Sequence, residues 1–574
     1  MNTATKLSSV SPLLFDNTYN QLFSDKLSLY YALSNYQQYL MQYCAVVVKR
    51  DNKKVLAFVP NQEDQTIDSF LDSGKPLNII KSKNNNDSLC EIKSLKKEAY
   101  SYYLENKKTT IDNLVDSLEE DDIIIADNIK NKELVKIATI KDESFRSHLI
   151  GVVNVNESIQ SMILTIANNF PQIPCLNFYI LLDDNGYDFI IYKITTDVNI
   201  DLQNNSIDRQ QKSFKHFVKK QMDTFFKKKG WQGYMYRHWL KGLIDDWLYN
   251  GTTIKQKIWA NTKGFYSYRI EQYGLSNDNY KEFLSDKDYK WLRNINNNYR
   301  KLLRDKIQFY YNLQKYKQYL PEYYFHLVYH LSEVQVIDLN SPNRKSDFDA
   351  ILELLKLKKK LAVKPVSASS GRGFLKLEYK NNSFLKNGII IDRWELIQFL
   401  KQLKEDCIVS EYVEMHSEIK KYYSDATSTI RIMVINETAN NPKIVAAYMR
   451  LGNKKSGQVD NIGCGGISIL LDHENGNILN AERLINHKFI AITHHPDTNE
   501  VIQGAVPNWS FICKEIDKIC YSINPIEYLG LDIVVTDKGF KILEINLHQE
   551  LHKYPCYQQE VKEYFNNKLG LKNE

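Results

Sequence analysis

The feature that most restricts the fold of this chain lies near its C-terminal end. Leu531-Asp-Ile-Val-Val535 is an apolar run carrying one carboxylate, Thr536-Asp-Lys-Gly539 reads as a turn, and the returning run ends in Leu543-Glu544-Ile-Asn546. Two such runs about a glycine-bearing turn predict a β-hairpin. Side chains alternate along a strand, so Glu544 and Asn546 share a face, and pairing brings Asp532 beside them. Carboxylates held between apolar strands without a counter-charge are costly. Three hard oxygen donors converging on one face are what Mg²⁺, or Mn²⁺, requires when it bridges the phosphates of ATP. Asp532, Glu544 and Asn546 are therefore the expected metal ligands.

Two further segments suit a nucleotide. Leu361-Ala-Val-Lys364 delivers a lysine from a short strand that Pro365 stops, and the loop Val366-Ser-Ala-Ser-Ser370-Gly371-Arg-Gly373 leads into a second strand from Phe374. Small residues such as Ser370 and Gly371 let backbone N–H groups close around phosphate oxygens, and Lys364 adds a point charge. No Gly-Lys-Ser/Thr precedes a helix, so this is not a Walker loop, and alone it reads equally well as an ordinary hairpin. Cys407-Ile-Val-Ser-Glu411-Tyr412-Val413-Glu414 is a hydrophobic strand running into a bend. It suits an adenine hinge, with the backbone of Tyr412 and Val413 at the base and Glu418 at the ribose. Its plain alternative is an edge strand with solvated carboxylates.

The remaining chain sets the frame. At 574 residues it is too long for one core. Its 75 basic and 69 acidic side chains nearly cancel, which gives no reason to expect nucleic acid as a partner. The eight cysteines form no C-x-x-C pair, so reduced thiols are expected rather than a disulfide framework or a zinc site. No leader-like or membrane-spanning apolar stretch stands out, and a cytoplasmic enzyme is the expectation. Residues 1–205 mix short apolar runs with polar turns and read as an α/β module without a phosphate loop. Within it, Phe178 to Tyr192 echoes Leu531 to Glu544 as strand, turn and strand, yet lacks the closing acidic residue. Two unrelated hairpins are the simpler reading. Residues 206–260 form a basic, aromatic connector, from Lys212 through Lys229 to Trp231, Trp239, Trp247 and Trp259. It reads as a helix face packed on its neighbour, or as a peripheral contact with an anionic membrane or lipid-linked substrate.

Taken in order, Arg304-Asp-Lys306, the Lys364 loop, Glu411-Tyr-Val-Glu, His416-Ser-Glu418, Thr429-Ile-Arg431, Asp460-Asn-Ile-Gly-Cys-Gly-Gly466 and Glu544-Ile-Asn546 resemble the ATP-grasp superfamily. They are most similar to its sugar-transfer associated branch. The resemblance implies an α/β (α+β) fold with the nucleotide between two lobes over residues 261–574, with a lid subdomain at about 361–425, preceded by a separate N-terminal α/β module. It implies Lys306 and Lys364 on phosphates, Glu411 with Val413 at the adenine, and Arg431 at the reacting carboxylate and acyl phosphate. Asp460 and Asn461 would lie near the acceptor. The implied activity is an ATP- and Mg²⁺-dependent carboxylate–amine ligase acting on small-molecule or glycan substrates of cell-surface polysaccharide synthesis. A phosphotransferase and an inactive nucleotide-binding adaptor are the alternatives.

Overall fold

The computed structural model describes residues 19–569 apart from 20, 51–52, 60–66, 73–76, 82–92, 99–100, 106, 127–131, 133, 142–145, 151–154, 171–172, 174, 184–187, 197–232, 293–294, 331–332, 341–345, 368–370 and 548–558. Twenty-five strands in this described part form four antiparallel sheets. The first sheet holds β1 (Tyr43–Arg50), β2 (Lys53–Phe58), β3 (Leu77–Lys81), β4 (Lys93–Glu98), β5 (Ser101–Leu104), β6 (Lys107–Thr109) and β7 (Asp122–Ile125), in the order β2-β1-β7-β3-β4-β5-β6. The second holds β8 (Leu134–Lys141), β9 (Ser147–Ile150), β10 (Cys175–Leu182) and β11 (Phe189–Thr195), in the order β11-β10-β8-β9.

The third sheet holds β12 (Tyr323–His330), β13 (Glu333–Asp338), β14 (Lys360–Pro365), β15 (Leu375–Lys380), β16 (Ser383–Lys386), β17 (Ile389–Ile391) and β18 (Cys407–Glu411), in the order β13-β12-β18-β14-β15-β16-β17. The fourth holds β19 (Thr429–Ile435), β20 (Lys443–Leu451), β21 (Ile467–Leu471), β22 (Ile478–Ile485), β23 (Lys488–Ile492), β24 (Tyr528–Thr536) and β25 (Gly539–Asn546), in the order β23-β22-β21-β20-β19-β24-β25. This is the expected two-lobed architecture behind an N-terminal module with its own sheets. The lobe carrying Lys364 reaches beyond 361–425, because its sheet already starts at β12.

Helices cover the sheets with faces that their sequences mark out. In chain order the ones used below are α1 (Lys26–Ala32), α2 (Glu157–Asn168), α3 (Gly233–Leu248), α4 (Ile254–Thr262), α5 (Lys306–Asn312), α6 (Phe348–Lys358), α7 (Arg393–Lys401) and α8 (Trp509–Ser522). Asp25, Asp305, Asp347 and Asp392 sit at the N-caps of α1, α5, α6 and α7 and accept backbone N–H bonds. Ile351, Leu352 and Leu355 of α6 and Leu396 and Leu400 of α7 bury together over the third sheet. Ile512, Ile516 and Ile519 of α8, spaced four and three apart, do the same over the fourth. The core under α8 is continuous with residues of the N-terminal module such as Tyr31, Phe170 and Ile191. The two halves therefore share one hydrophobic interior.

Central strands β19 and β24 are buried along nearly their whole length. Each nevertheless carries one charged residue, Arg431 and Asp532, and the register sets them directly opposite each other. The six cysteines in the described part are free thiols, as their spacing led us to expect. Among the described residues no helix is long and apolar enough to cross a membrane.

Candidate active site

The third and fourth sheets face each other across a cleft, and the candidate site lies in it. From the third sheet the lining comprises Ala362, Lys364 and Pro365 of β14, the turn around Gly371, and Glu411, Tyr412 and Val413 at the end of β18. Lys306, at the start of α5, joins them, and its backbone N–H bonds to the Val366 carbonyl at 3.3 Å. The phosphate lysines of the sequence reading are thus brought to one wall. Burial, and then the neighbouring Lys306, pushes the Lys364 ammonium down to about 8, against the pull of Glu544 and Glu411. Gly371 has φ +72°, and a Cβ there would stand 2.9 Å from Val459 across the cleft. Both the backbone and the space call for glycine. Ser370, the other expected loop contact, lies outside the described residues.

The pairing of β14 with β18 ends at Leu361 and Glu411. Beyond it the chain leaves the sheet, so the amide and carbonyl groups of Tyr412 and Val413 lie outside the ladder and beside the cleft. That is the geometry of a hinge that can read a base edge. Glu411 lines the cleft, although one carboxylate oxygen also accepts the Glu322 N–H at 3.1 Å. Glu418 is not among the lining residues. It sits in the single turn Ser417–Lys420, mostly exposed, paired with Lys421 at 3.1 Å.

The opposite wall is built by register. Asp532 pairs with Arg431 on one side and with Glu544 on the other, and the β24–β25 ladder shifts by one residue immediately after. Arg431 grips both Asp532 oxygens, with Nη2 donating to Oδ2 at 2.9 Å. Arg450, near the end of β20, places its own Nη2 2.9 Å from the same oxygen and its Nε 3.5 Å from Asp460. Burial alone would raise the Asp532 carboxyl, but the two guanidiniums hold it well below the usual carboxylate range. This corrects two expectations. Asp532 is not a buried carboxylate without counter-charge, and Arg431 finds its anionic partner in Asp532 rather than awaiting one from a substrate. Arg431 is buried behind Asp532, whereas Arg450 lines the cleft.

Asp460 and Asn461 also line the cleft. Asp460 accepts the Thr429 N–H at 2.9 Å, and burial pushes its carboxyl up against the pull of Arg450. The glycine run beyond them has a steric reason. A Cβ on Gly466 would come within 2.5 Å of the Asp460 carbonyl oxygen, and the Gly466 N–H bonds back to Asn461 at 3.0 Å. The run folds the loop onto itself and pins Asp460 and Asn461 at the cleft. Arg450, Arg372 and Gln458 are cleft residues that sequence reasoning missed. Arg450 closes the apolar run Ile444 to Met449 much as Glu544 closes its own strand. That is the signal that would have found it.

The oxygen donors of this wall suit a divalent cation. The Asn546 amide nitrogen lies 3.1 Å from Glu544 and 3.4 Å from Asp532, so the three side chains meet at one point. Among the described residues no three His, Cys, Asp or Glu side chains gather closely enough to hold a metal by themselves. Mg²⁺ characteristically takes one or two carboxylates and completes its octahedron with phosphate oxygens and water. Asp532 and Glu544 would make that kind of half-site if the Asn546 amide turned to present its oxygen.

The cleft lies between two antiparallel sheets, with lysines on one wall and a carboxylate pair on the other. Residues 285–561 match the family described as sugar-transfer associated ATP-grasp. No curated protein matches the chain in sequence. Among solved structures, the D-alanine–D-alanine ligase of Bacillus anthracis is 16% identical, with 43% of this chain and 58% of the ligase covered and a TM-score of 0.23. The ADP complex of N5-carboxyaminoimidazole ribonucleotide synthetase is 11% identical, covering 44% of this chain and 46% of that one, TM-score 0.24. The ATP-grasp ligase PsnB, complexed with minimal precursor, Mg and ADP, is 11% identical, covering 46% and 56%, TM-score 0.20. The chain thus spans 58% of the first of these relatives and less of the other two. The matched stretch begins before α5 and ends beyond β25, enclosing both walls of the cleft.

Proposed function

We propose that the ATP-grasp half is an ATP- and Mg²⁺-dependent carboxylate–amine ligase working through an acyl phosphate, in the synthesis of a cell-surface glycan. The observation that carries this reading is the charge layout of one cleft, with Lys306 and Lys364 on one wall and Asp532, Glu544 and Asn546 on the other. Lys306 and Lys364 would neutralise the triphosphate while Tyr412 and Val413 receive the adenine. Ser370, Glu411 and Glu418 complete the proposed nucleotide contacts, Glu418 only after its turn swings toward the ribose. A bound Mg²⁺ would supply charge neutralisation at the transferring phosphoryl group.

The carboxylate oxygen attacks the γ-phosphorus, ADP leaves, and an amine then displaces phosphate to form the amide. Little covalent work falls to the protein, which positions and neutralises charge. Arg450, at the cleft surface, is placed to stabilise the acyl phosphate, and Arg431 fixes Asp532 from behind. Asp460 and Asn461 would meet the acceptor. The test is product analysis by mass spectrometry with ATP, Mg²⁺, pooled sugar acids and pooled amines. Phosphate release that needs both a carboxylate and an amine supports the ligase. Phosphorylation of a hydroxyl compound without amide formation makes it a phosphotransferase, and no turnover with any pair makes it an adaptor.

The connector supports peripheral contact with an anionic membrane. Ile244 and Leu248 of α3 and Ile254 and Ile258 of α4 are more than half exposed, and Trp247 is nearly half exposed. In sequence they follow the lysine-rich stretch before residue 230, which lies outside the described residues, and the combination suits acidic headgroups.

A further inference from the structure

The first and third sheets have the same strand order. Replacing β1 to β7 by β12 to β18 turns one order into the other without exception, and both sheets are antiparallel. The pairing of β1 with β7 breaks between Tyr43 and Ala45, and that of β12 with β18 breaks between Tyr323 and Phe325. The segment leading into each sheet repeats as well, at a spacing of 280 residues. Nine of the sixteen residues from 25 to 40 recur at 305 to 320, among them Asp25 and Asp305, Lys26 and Lys306, and Tyr36 and Tyr316. Even the broken 3-10 turn recurs, with φ −124° and ψ 29° at Tyr36 against φ −114° and ψ 27° at Tyr316. Tyr30 packs 4.7 Å from Tyr43, as Tyr310 packs 4.5 Å from Tyr323.

The hairpin echo that reads as coincidence in sequence completes the pattern. In β10–β11, Tyr179 faces Lys193, and the ladder shifts before Ile180 faces Ile191. In β24–β25, Asp532 faces Glu544, and the ladder shifts before Ile533 faces Ile542. Register therefore aligns the metal half-site with Tyr179 and Lys193, and Asn546 with Thr195. Lys136 faces Tyr179 as Arg431 faces Asp532. Counting through the β7 and β18 ladders, Ile80 stands where Lys364 does. Where two carboxylates would hold a cation there is instead a buried lysine over an aromatic ring, with Lys193 Nζ 4.8 Å from the Tyr179 centroid. Tyr192 takes the place of the cleft residue Leu543, and Lys26 lies 4.5 Å over its ring.

The contacts between the halves obey a two-fold rule. Helix α1 packs on α5, the turn Gln21–Phe23 on α5 and the turn Asn297–Leu303 on α1, while Ser34–Tyr39 meets Gln314–Tyr319. Tyr31 reaches the end of α8, donating to the Ser522 carbonyl at 3.0 Å, and Tyr311 reaches Phe170 just past the end of α2, with centroids 5.2 Å apart. The helix and turn pairs each have their exchanged counterpart, and the two tyrosines reach equivalent places by different contacts, which is the arrangement of an isologous interface.

We infer that residues 21–195 are a shortened second copy of the fold of residues 297–546, its second sheet holding four strands where the fourth holds seven and its nucleotide site dismantled, docked on the working copy as the partner subunit of a homodimer would be. Its role is to hold α5, and with it Lys306, from across the interface. Tyr311 of α5 is wedged against Phe170, and Asp25 receives Lys301. The assignment of a working copy rests on the nucleotide reading above, so the test has two arms. Isothermal titration of the full chain with Mg·ATP should give one equivalent. Lys193→Gln should leave the affinity within about twofold, and Glu544→Gln should weaken it roughly tenfold or more, since a ligand counts for at least as much as the groups that orient one. Two equivalents, or one that survives Glu544→Gln and disappears in Lys193→Gln, overturns the silence of the first copy.

Urea unfolding without nucleotide forms the second arm. The wild type should unfold in one transition, and Tyr31→Ala with Phe170→Ala should divide it in two. Two transitions already in the wild type overturn the pairing. A wild type that unfolds in one step and binds no Mg·ATP sinks the nucleotide reading while the pairing stands.

Discussion

Lys364 is the residue where affinity and stability should move in opposite directions. Its ammonium falls from 10.5 to about 8 in the folded chain, chiefly through burial. That difference, at about 1.4 kcal/mol per unit, corresponds to about 3 kcal/mol by which the charged lysine opposes folding. The sign follows from proton counts. Below about pH 8 the lysine is protonated both folded and unfolded, so the whole penalty is present. Between about pH 8 and 10.5 the unfolded chain binds more protons than the folded one, and stability rises with pH. Lys364→Met, similar in length and uncharged, should therefore stabilise the nucleotide-free protein at pH 7, by up to about 3 kcal/mol before packing losses. That gain should shrink as pH rises toward 10. The same substitution removes the proposed phosphate contact, so added Mg·ATP should raise the wild-type midpoint and scarcely move that of the variant. Urea denaturation at pH 7 and 9.5, with and without Mg·ATP, reads all four quantities. A variant less stable than the wild type at pH 7, or one stabilised equally by nucleotide, would refute the reasoning.

Other expectations follow from the same wall of charges. Asp532→Asn leaves Arg431 and Arg450 facing a neutral amide, so urea melts should show a loss of about 3–5 kcal/mol; the less buried Glu544→Gln should abolish Mg²⁺-dependent turnover with a far smaller change. Arg450→Ala should cut product formation roughly 10²–10³-fold while ATP affinity, measured by titration, holds within a few-fold. Arg431→Ala should show itself first as a lowered unfolding midpoint. Sedimentation with phosphatidylserine vesicles should pull down the wild type at low salt, and Ile244→Glu with Leu248→Glu should release it.

Much of this site was legible because alternation along a strand is a strong constraint. Asp532, Glu544 and Asn546 could be placed on one face from spacing alone, and the structure brings them into contact. Lys364 and Gly371 were legible from a strand stopped by proline and a loop of small residues. Arg450 escaped because its partners Thr429 and Asp532 belong to other strands and Asp460 to a loop, and pairing between elements is not written in the spacing within one. For the same reason Arg431 was assigned to the cleft when its register neighbour already supplies a carboxylate. The internal duplication was hidden by the very substitutions that silenced the first site. Its clearest trace, Asp25 to Leu40 against Asp305 to Leu320, lies in a packing segment rather than in a chemical motif.

The separation of α1 from α5 bears on how the chain is made. Synthesis runs from the N-terminus at about 5–20 residues per second, so α5 leaves the ribosome roughly 15–60 s after α1. Throughout that interval α1, whose Tyr31 is buried in the finished protein, lacks the cover that α5 and the end of α8 provide. A nascent chain in this condition offers its docking face to any other nascent chain on the same message, where an identical α1 is already available. Pairing of two unfinished first copies through α1 would compete with pairing within the chain. Faster translation, or a chaperone that covers α1 until α5 emerges, would favour pairing within the chain.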